Sequence, residues 1–237
     1  MSAVVIAETI RRHVTSVAFI VALVFVGLTG ILAATFNAPG SLWPPLVHLI
    51  AIITGAALIG PEFSTSTLQL IVSKPIRRST YLVSRVIGVF ACVLLVACVG
   101  LVAEIAMRFL LRGMQMPWLY LGGATAIVLT TSFLTIALLA MLGSVSRSYL
   151  NVAIYLGAEM AFTVLEALLG VIRMRAPFLA EHPEIERAIM RIDDVLYPAA
   201  SPAIDGMWFA RVFVTAAIAI VLACVAFERR EVPYGGD

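Results

Sequence analysis

Charge is what this sequence has least of: only 13% of its 237 residues are Asp, Glu, Lys or Arg, against about 25% in soluble domains. Hydrophobic residues make up 62%, above the roughly 45–50% typical of such domains. A soluble globule is excluded, and the expected setting is a lipid bilayer. Net charge is only +2, so there is no broad basic surface for nucleic acid, and no nucleic-acid partner is expected. All sixteen basic residues except Lys74 are Arg. The three cysteines, Cys92, Cys98 and Cys224, each lie inside an apolar run, where thiols behave as small buried hydrophobes, so neither a disulfide framework nor a thiolate metal site is expected. His13, His48 and His182 are too scattered to form a metal centre. His48 is expected to be a hydrogen-bonded interior residue. Signatures of chemistry are also missing. There is no Gly-x-x-x-x-Gly-Lys-[Ser/Thr] phosphate cradle, so no nucleotide cofactor is expected on this chain. The absence of His-Glu-x-x-His, Gly-x-Ser-x-Gly and paired intramembrane Asp patterns disfavours an intramembrane hydrolase. No filter-like segment suggests a channel.

What the sequence does have is long apolar runs. Spanning a hydrocarbon core of roughly 30 Å takes about 20 residues of helix, and six segments qualify: 14–36, 42–60, 81–107, 118–142, 149–172 and 208–227. Backbone polar groups in lipid must be satisfied within the segment, so all six are expected to be helices. The fold class is therefore all-α, a polytopic membrane protein of one domain over residues 1–237. The first run has 23 residues, too long for a signal-peptide core of about 7–15, and reads as a retained helix anchored by Arg11-Arg12. The breakers at 37–41 suggest a hairpin of the first two spans, and Pro44-Pro45 suits an opening helical turn. An even span count puts both termini on one side. Nine basic residues share that side and seven the other, and the latter sit mostly in a long, acid-rich connection that weighs little in orientation. Both termini are expected in the cytoplasm.

Two amphipathic segments flank this path. Val5, Ile6, Thr9, Ile10 and His13 recur at helical spacing beside Glu8, Arg11 and Arg12, which suits either a short interfacial helix or a plain extension of the first span. Between Arg173 and Asp205, Ile185, Ala188, Ile189, Ile192 and Leu196 keep a helical stripe while Glu184, Glu186, Arg187, Asp193 and Asp194 fill the other face. An extracytoplasmic amphipathic helix is expected there.

Between the second and third spans lies a polar, basic insert, residues 62–78. Leu68, Ile71 and Val72 occupy i, i+3 and i+4 of a short helix that Ser64 or Thr65 could cap and Pro75 must end. Such a stripe outside the bilayer suits helix-in-groove docking on a protein partner; the alternative is a loop resting on lipid, with Lys74, Arg77 and Arg78 meeting anionic headgroups. Glu62, Thr67, Pro75 and Arg78, with Leu68, Leu70, Ile71 and Val72 between them, resemble the cytoplasmic loop of type 2 ATP-binding-cassette (ABC-2) permeases. There a Glu is followed five residues on by the Thr of a Gly-Thr pair, then by a Leu-rich run, Pro-x-x-Arg, and a Lys seven residues after the Arg. Ser66 stands at the family's Gly, and Arg85 at its Lys, which keeps the charge but changes the hydrogen-bonding geometry. The resemblance implies a coupling helix that docks on cytoplasmic ABC ATPase subunits carrying ATP and magnesium. It also implies a second permease chain, as homo- or heterodimer, and a multi-pass location in the cytoplasmic (inner) membrane, with export as the expected direction. In this frame Glu62 is an acidic contact or hinge anchor, and Arg78 holds the base of the third span. A membrane scaffold or assembly factor using the same docking loop is the alternative.

A second group of polar residues lies within the spans. Glu159, Glu166 and Arg173 follow one another at seven-residue intervals in the fifth span, near one helical face. Because mid-bilayer charge is costly, such residues usually face a bundle interior or water. Glu159 and Glu166 are therefore candidates for a translocation path, against the plainer alternative of an interhelical pair or a neutral, hydrogen-bonded Glu. Glu104 and Arg108, at i and i+4 near the outer end of the third span, are expected to form an interfacial ion pair. The small-residue patches Gly55-Ala56-Ala57 and Gly122-Gly123-Ala124 are expected to permit close helix approach.

Overall fold

Ser16 decides how the chain begins. Its extended backbone interrupts the apolar run, and its hydroxyl accepts from the Phe19 amide at 3.2 Å, capping a new helix. The computed structural model describes residues 2–36, 41–59, 77–112, 118–146, 150–175, 184 and 206–229, without the side chains of 112, 162, 165, 166 and 169–175. Among these residues the regular structure is helical: α1 Ala3–Val14, α2 Val17–Thr35, α3 Pro44–Ala56, α4 Arg78–Arg112, α5 Trp118–Val145, α6 Leu150–Arg175 and α7 Gly206–Arg229. Four of them, α2, α4, α5 and α7, are long and apolar enough to cross a bilayer, while α3 and the first half of α6 form shorter apolar helices. The amphipathic segment at 185–196 lies outside the described residues, as do the insert residues Glu62, Thr67, Leu68, Ile71, Val72 and Pro75.

Two boundaries differ from the sequence reading. Val14 closes α1 instead of opening the first span, because the Ser16 cap separates the two helices; α1 is thus an element of its own and not an extension. It seats on α4, where the buried Thr9 meets Gly88 so closely that a Cβ there would fall 2.8 Å from the Thr9 Cβ. The Ser2 amide also donates to Ser84 Oγ at 2.9 Å. The second span is helical only over Pro44–Ala56, not to residue 60. It opens with Pro44 and Pro45 as expected, but its far end is drawn into a turn whose carbonyls are taken by other helices.

The expected hairpin of the first two spans is also revised. α2 packs mainly along α4, and α3 packs against α5 and α4; α2 and α3 touch only slightly. Small residues set this partnership. A Cβ on Gly30 of α2 would lie 2.6 Å from the Gly100 carbonyl of α4, so only glycine lets the two backbones come this near. A cavity of about 240 Å³ remains between α2 and α3, lined by residues including Phe19, Ala22, Ile50 and Thr54. α5 is the most buried of the four long helices. It holds α7 through Leu134, Ala137, Val212 and Ala216, and α4 through the edge-to-face pair Phe90–Phe133. Of the two small-residue patches, Gly55 packs on Leu139 of α5, whereas a Cβ on Gly122 or Gly123 would meet nothing within 4 Å.

Candidate functional site

A helix end leaves carbonyls without intrahelical partners, and at the end of α3 two other helices supply the donors. Asn151 of α6, fully buried, gives its Nδ2 to the Ala56 carbonyl at 3.2 Å. Arg85 of α4 sends Nε and Nη2 to the Leu58 carbonyl at 3.3 and 3.0 Å. Its guanidinium is buried and sits 6.0 Å from the Tyr81 ring centroid. Placing this cation at a helix C-terminus matches the negative end of the helix dipole. A fork with two donors on one carbonyl is a geometry that Lys could not reproduce.

The segment leading into the insert is thereby fixed, with Leu58 and Ile59 fully buried. The segment leaving it begins α4 at Arg78, which has interaction partners within the protein, and the Tyr81 amide closes back on the Arg77 carbonyl at 3.0 Å. Both flanks of the insert therefore land on the first turns of α4. Arg85 was visible in the sequence as a charge at a patterned position, but its partner was not. Asn151 was missed; an amide at the start of an apolar run was its only signal.

At the other end of the bundle is a saturated carboxylate. Glu104, fully buried on α4, accepts from Arg108 Nε at 2.9 Å and Nη2 at 2.7 Å on one oxygen. Its second oxygen accepts from Ser41 Oγ at 2.7 Å and Trp43 Nε1 at 2.8 Å. The expected interfacial pair is thus a buried one, because Trp43 covers it, seated where a Cβ on Gly100 would strike its ring at 2.9 Å. The Ser41 amide donates to Tyr120 Oη at 2.7 Å, tying this corner to the first turn of α5. The pair fastens the segment preceding α3 to α4 and α5.

Glu159 is half-buried on α6; its Oε2 is buried and has no hydrogen-bond partner among the described residues. Glu166 lies on the same helix, with its side chain outside the described residues. Of the two acids, only the Glu159 side chain lies within the described residues. His48 differs from expectation, since both of its ring nitrogens are buried and unpartnered among the described residues. No group of three or more His, Cys, Asp or Glu side chains converges among the described residues in a way that could hold a metal. No family model and no curated protein matches this chain.

Proposed function

We propose that the chain is the membrane-spanning subunit of an ATP-driven transporter of the ABC-2 kind. In this reading it works with a second permease chain and with separate ATPase subunits that bind ATP and magnesium, and it sits in the cytoplasmic membrane with both termini inside. The observation that carries the reading is the framing of the insert. Arg85 and Asn151 tie its leading flank to α4 and α6, and its trailing flank becomes the first turn of α4 at Arg78. A push on a docked insert would then act on three helices at once, as coupling requires. A loop merely resting on lipid needs no such frame.

Six spans follow if α3 and α6 are counted. Ser41, just before α3, touches Tyr120, and Gly55, near its end, packs on Leu139. From Tyr120 to Leu139, α5 rises about 28 Å at about 1.5 Å per residue, close to the hydrocarbon thickness of roughly 30 Å. α6, with 26 residues, is about 39 Å long. These lengths support counting both as spans.

Charge reversal at Glu62, or Leu68→Asp, is expected to weaken co-purification of the ATPase while the permease still inserts, because a desolvated contact does not tolerate an unpaired charge. Unchanged pull-down with both variants would return the insert to the lipid surface. The topology has its own check: cysteines at Ser73 and Glu231 should label from the cytoplasmic side and one at Glu186 from outside, and labelling of Ser73 and Glu186 from the same side would refute six spans.

A further inference from the structure

Among the described residues, the buried side-chain polar atoms without any hydrogen-bond partner are His48 Nδ1 and Nε2, Ser132 Oγ and Glu159 Oε2. They sit on three different helices, α3, α5 and α6, and the packing brings them to one level. Ile52, Leu139 and Tyr155 form a buried cluster where those helices meet. Gly55 packs on Leu139 and near Ile136, and Thr135 hydrogen-bonds Tyr155 at 3.1 Å. α3 runs parallel to α5, since Ser41 meets Tyr120 at one end and Gly55 meets Leu139 at the other. α6 runs antiparallel to α5, since Asn151 in its first turn reaches the C-terminal end of α3.

His48 precedes Gly55 by seven residues and Ile52 by four; Ser132 precedes Leu139 by seven and Ile136 by four; Glu159 follows Tyr155 by four. Steps of four and seven keep the same helical face, so all three side chains lie on the faces that meet, about one turn beyond the apolar cluster and away from the insert.

Chance does not account well for this convergence. Among the described residues, many bundle hydroxyls are satisfied by their own helices: Thr54, Thr125, Thr130, Thr131 and Ser144 all donate to carbonyls three or four residues back. Ser132, fully buried, does not. Buried polar groups are costly when unpaired, so three orphans gathered on facing helices indicate a shared ligand.

We propose that His48, Ser132 and Glu159 form a binding site within the membrane for a cationic N–H donor, an ammonium or guanidinium group of the transported molecule. The chemistry selects that class. Glu159 offers carboxyl oxygens, His48 a ring nitrogen and Ser132 a hydroxyl oxygen, so acceptors predominate, and the charge an ionised Glu159 would carry is negative. A ligand with one positive charge and several N–H bonds meets both needs, and charge-assisted hydrogen bonds supply the affinity. The proposal rests on the permease reading for its use as a substrate site, but not for the binding itself.

The test uses the full chain in lipid nanodiscs, with radiolabelled methylammonium as probe and tetramethylammonium, which has the charge but no N–H, as competitor. Saturable methylammonium binding is expected, weakened roughly tenfold or more by Glu159→Gln and His48→Leu and a few-fold by Ser132→Ala. Tetramethylammonium should compete roughly tenfold less well. Glu159→Asp, which keeps the charge, is expected to retain measurable binding and guards against a folding defect in the Gln variant. No saturable binding, equal competition by tetramethylammonium, or full binding in Glu159→Gln would each overturn the site and leave these groups to ordered water. ATPase pull-down on the same preparations separates the two ideas. A chain that captures the ATPase but not methylammonium loses only this site, whereas one that binds methylammonium without an ATPase loses the permease reading.

Discussion

Glu104→Gln is the most severe single perturbation the structure suggests away from the insert. Glutamine keeps the shape of glutamate, but one of its two terminal groups becomes a donor. Glu104 accepts four hydrogen bonds, two from Arg108 and one each from Ser41 and Trp43. Whichever way the amide turns, its NH2 must face either the guanidinium or the Trp43 N–H. The larger loss is charge, since Glu104 is fully buried and Arg108 only 6% exposed, leaving the guanidinium without a counter-ion. Removing one partner of a buried pair costs about 3–5 kcal/mol. We expect a loss of that size in reversible unfolding of the full chain in bicelles, followed by tryptophan fluorescence. The double variant with Arg108→Met should recover part of it, because an apolar replacement removes the stranded cation. Recovery should stay incomplete, because the Gln carbonyl can accept from Trp43 Nε1 and Ser41 Oγ only by leaving its own NH2 buried beside the apolar Arg108→Met side chain without an acceptor. The exposed Glu8–Arg11 pair serves as control, and Glu8→Gln is expected to leave unfolding unchanged. A Glu104→Gln loss under about 1 kcal/mol, the range of a solvated pair, would mean that water reaches this carboxylate and that the argument from burial is wrong.

Three further outcomes are expected. Gly30→Ala should destabilise by about 1–3 kcal/mol through overpacking against the Gly100 carbonyl, whereas Gly122→Ala, facing open space, should be neutral; thermal unfolding of the two side by side decides. Arg85→Met should cost about 1–3 kcal/mol by leaving the Leu58 carbonyl without its donors, with Arg85→Lys intermediate, again read by unfolding. Burial, helped by the charges of Arg85 and Arg12, holds His13 below the usual imidazole range. Its folded-state pKa is therefore the lower one, so the unfolded chain takes up the proton first. Stability should be full above about pH 6.5 and fall as pH drops below it, and His13→Gln should flatten that part of the pH–stability curve.

How far the sequence could be read depends on which forces act locally. The long helices were legible because apolar runs bounded by Arg, Pro and Trp say where lipid begins and ends, and Pro44-Pro45 marked the start of α3 correctly. The end of α3 was not, since hydropathy continues to residue 60 while the helix stops at Ala56, where Asn151 and Arg85 compete for its carbonyls. Those donors lie 95 and 27 residues away from the carbonyls they take, beyond the reach of any window. The pairing of α2 with α4 was likewise hidden. A short loop suggests that sequential helices pack together, but the fit of Gly30 to Gly100 prevails, and nothing local distinguishes those glycines from the unused pair Gly122-Gly123. Glu104 and Arg108 were recognisable as a pair from their i, i+4 spacing, yet their burial depends on Trp43, which arrives from another helix. The same reasoning bears on Glu159. Its seven-residue spacing to Glu166 directed attention along α6, whereas the other buried unpartnered side chains among the described residues, His48 and Ser132, are contributed across the bundle. A stripe on one helix shows only that polarity is tolerated there; the chemistry of a site is set by what the neighbouring helices bring to the same level.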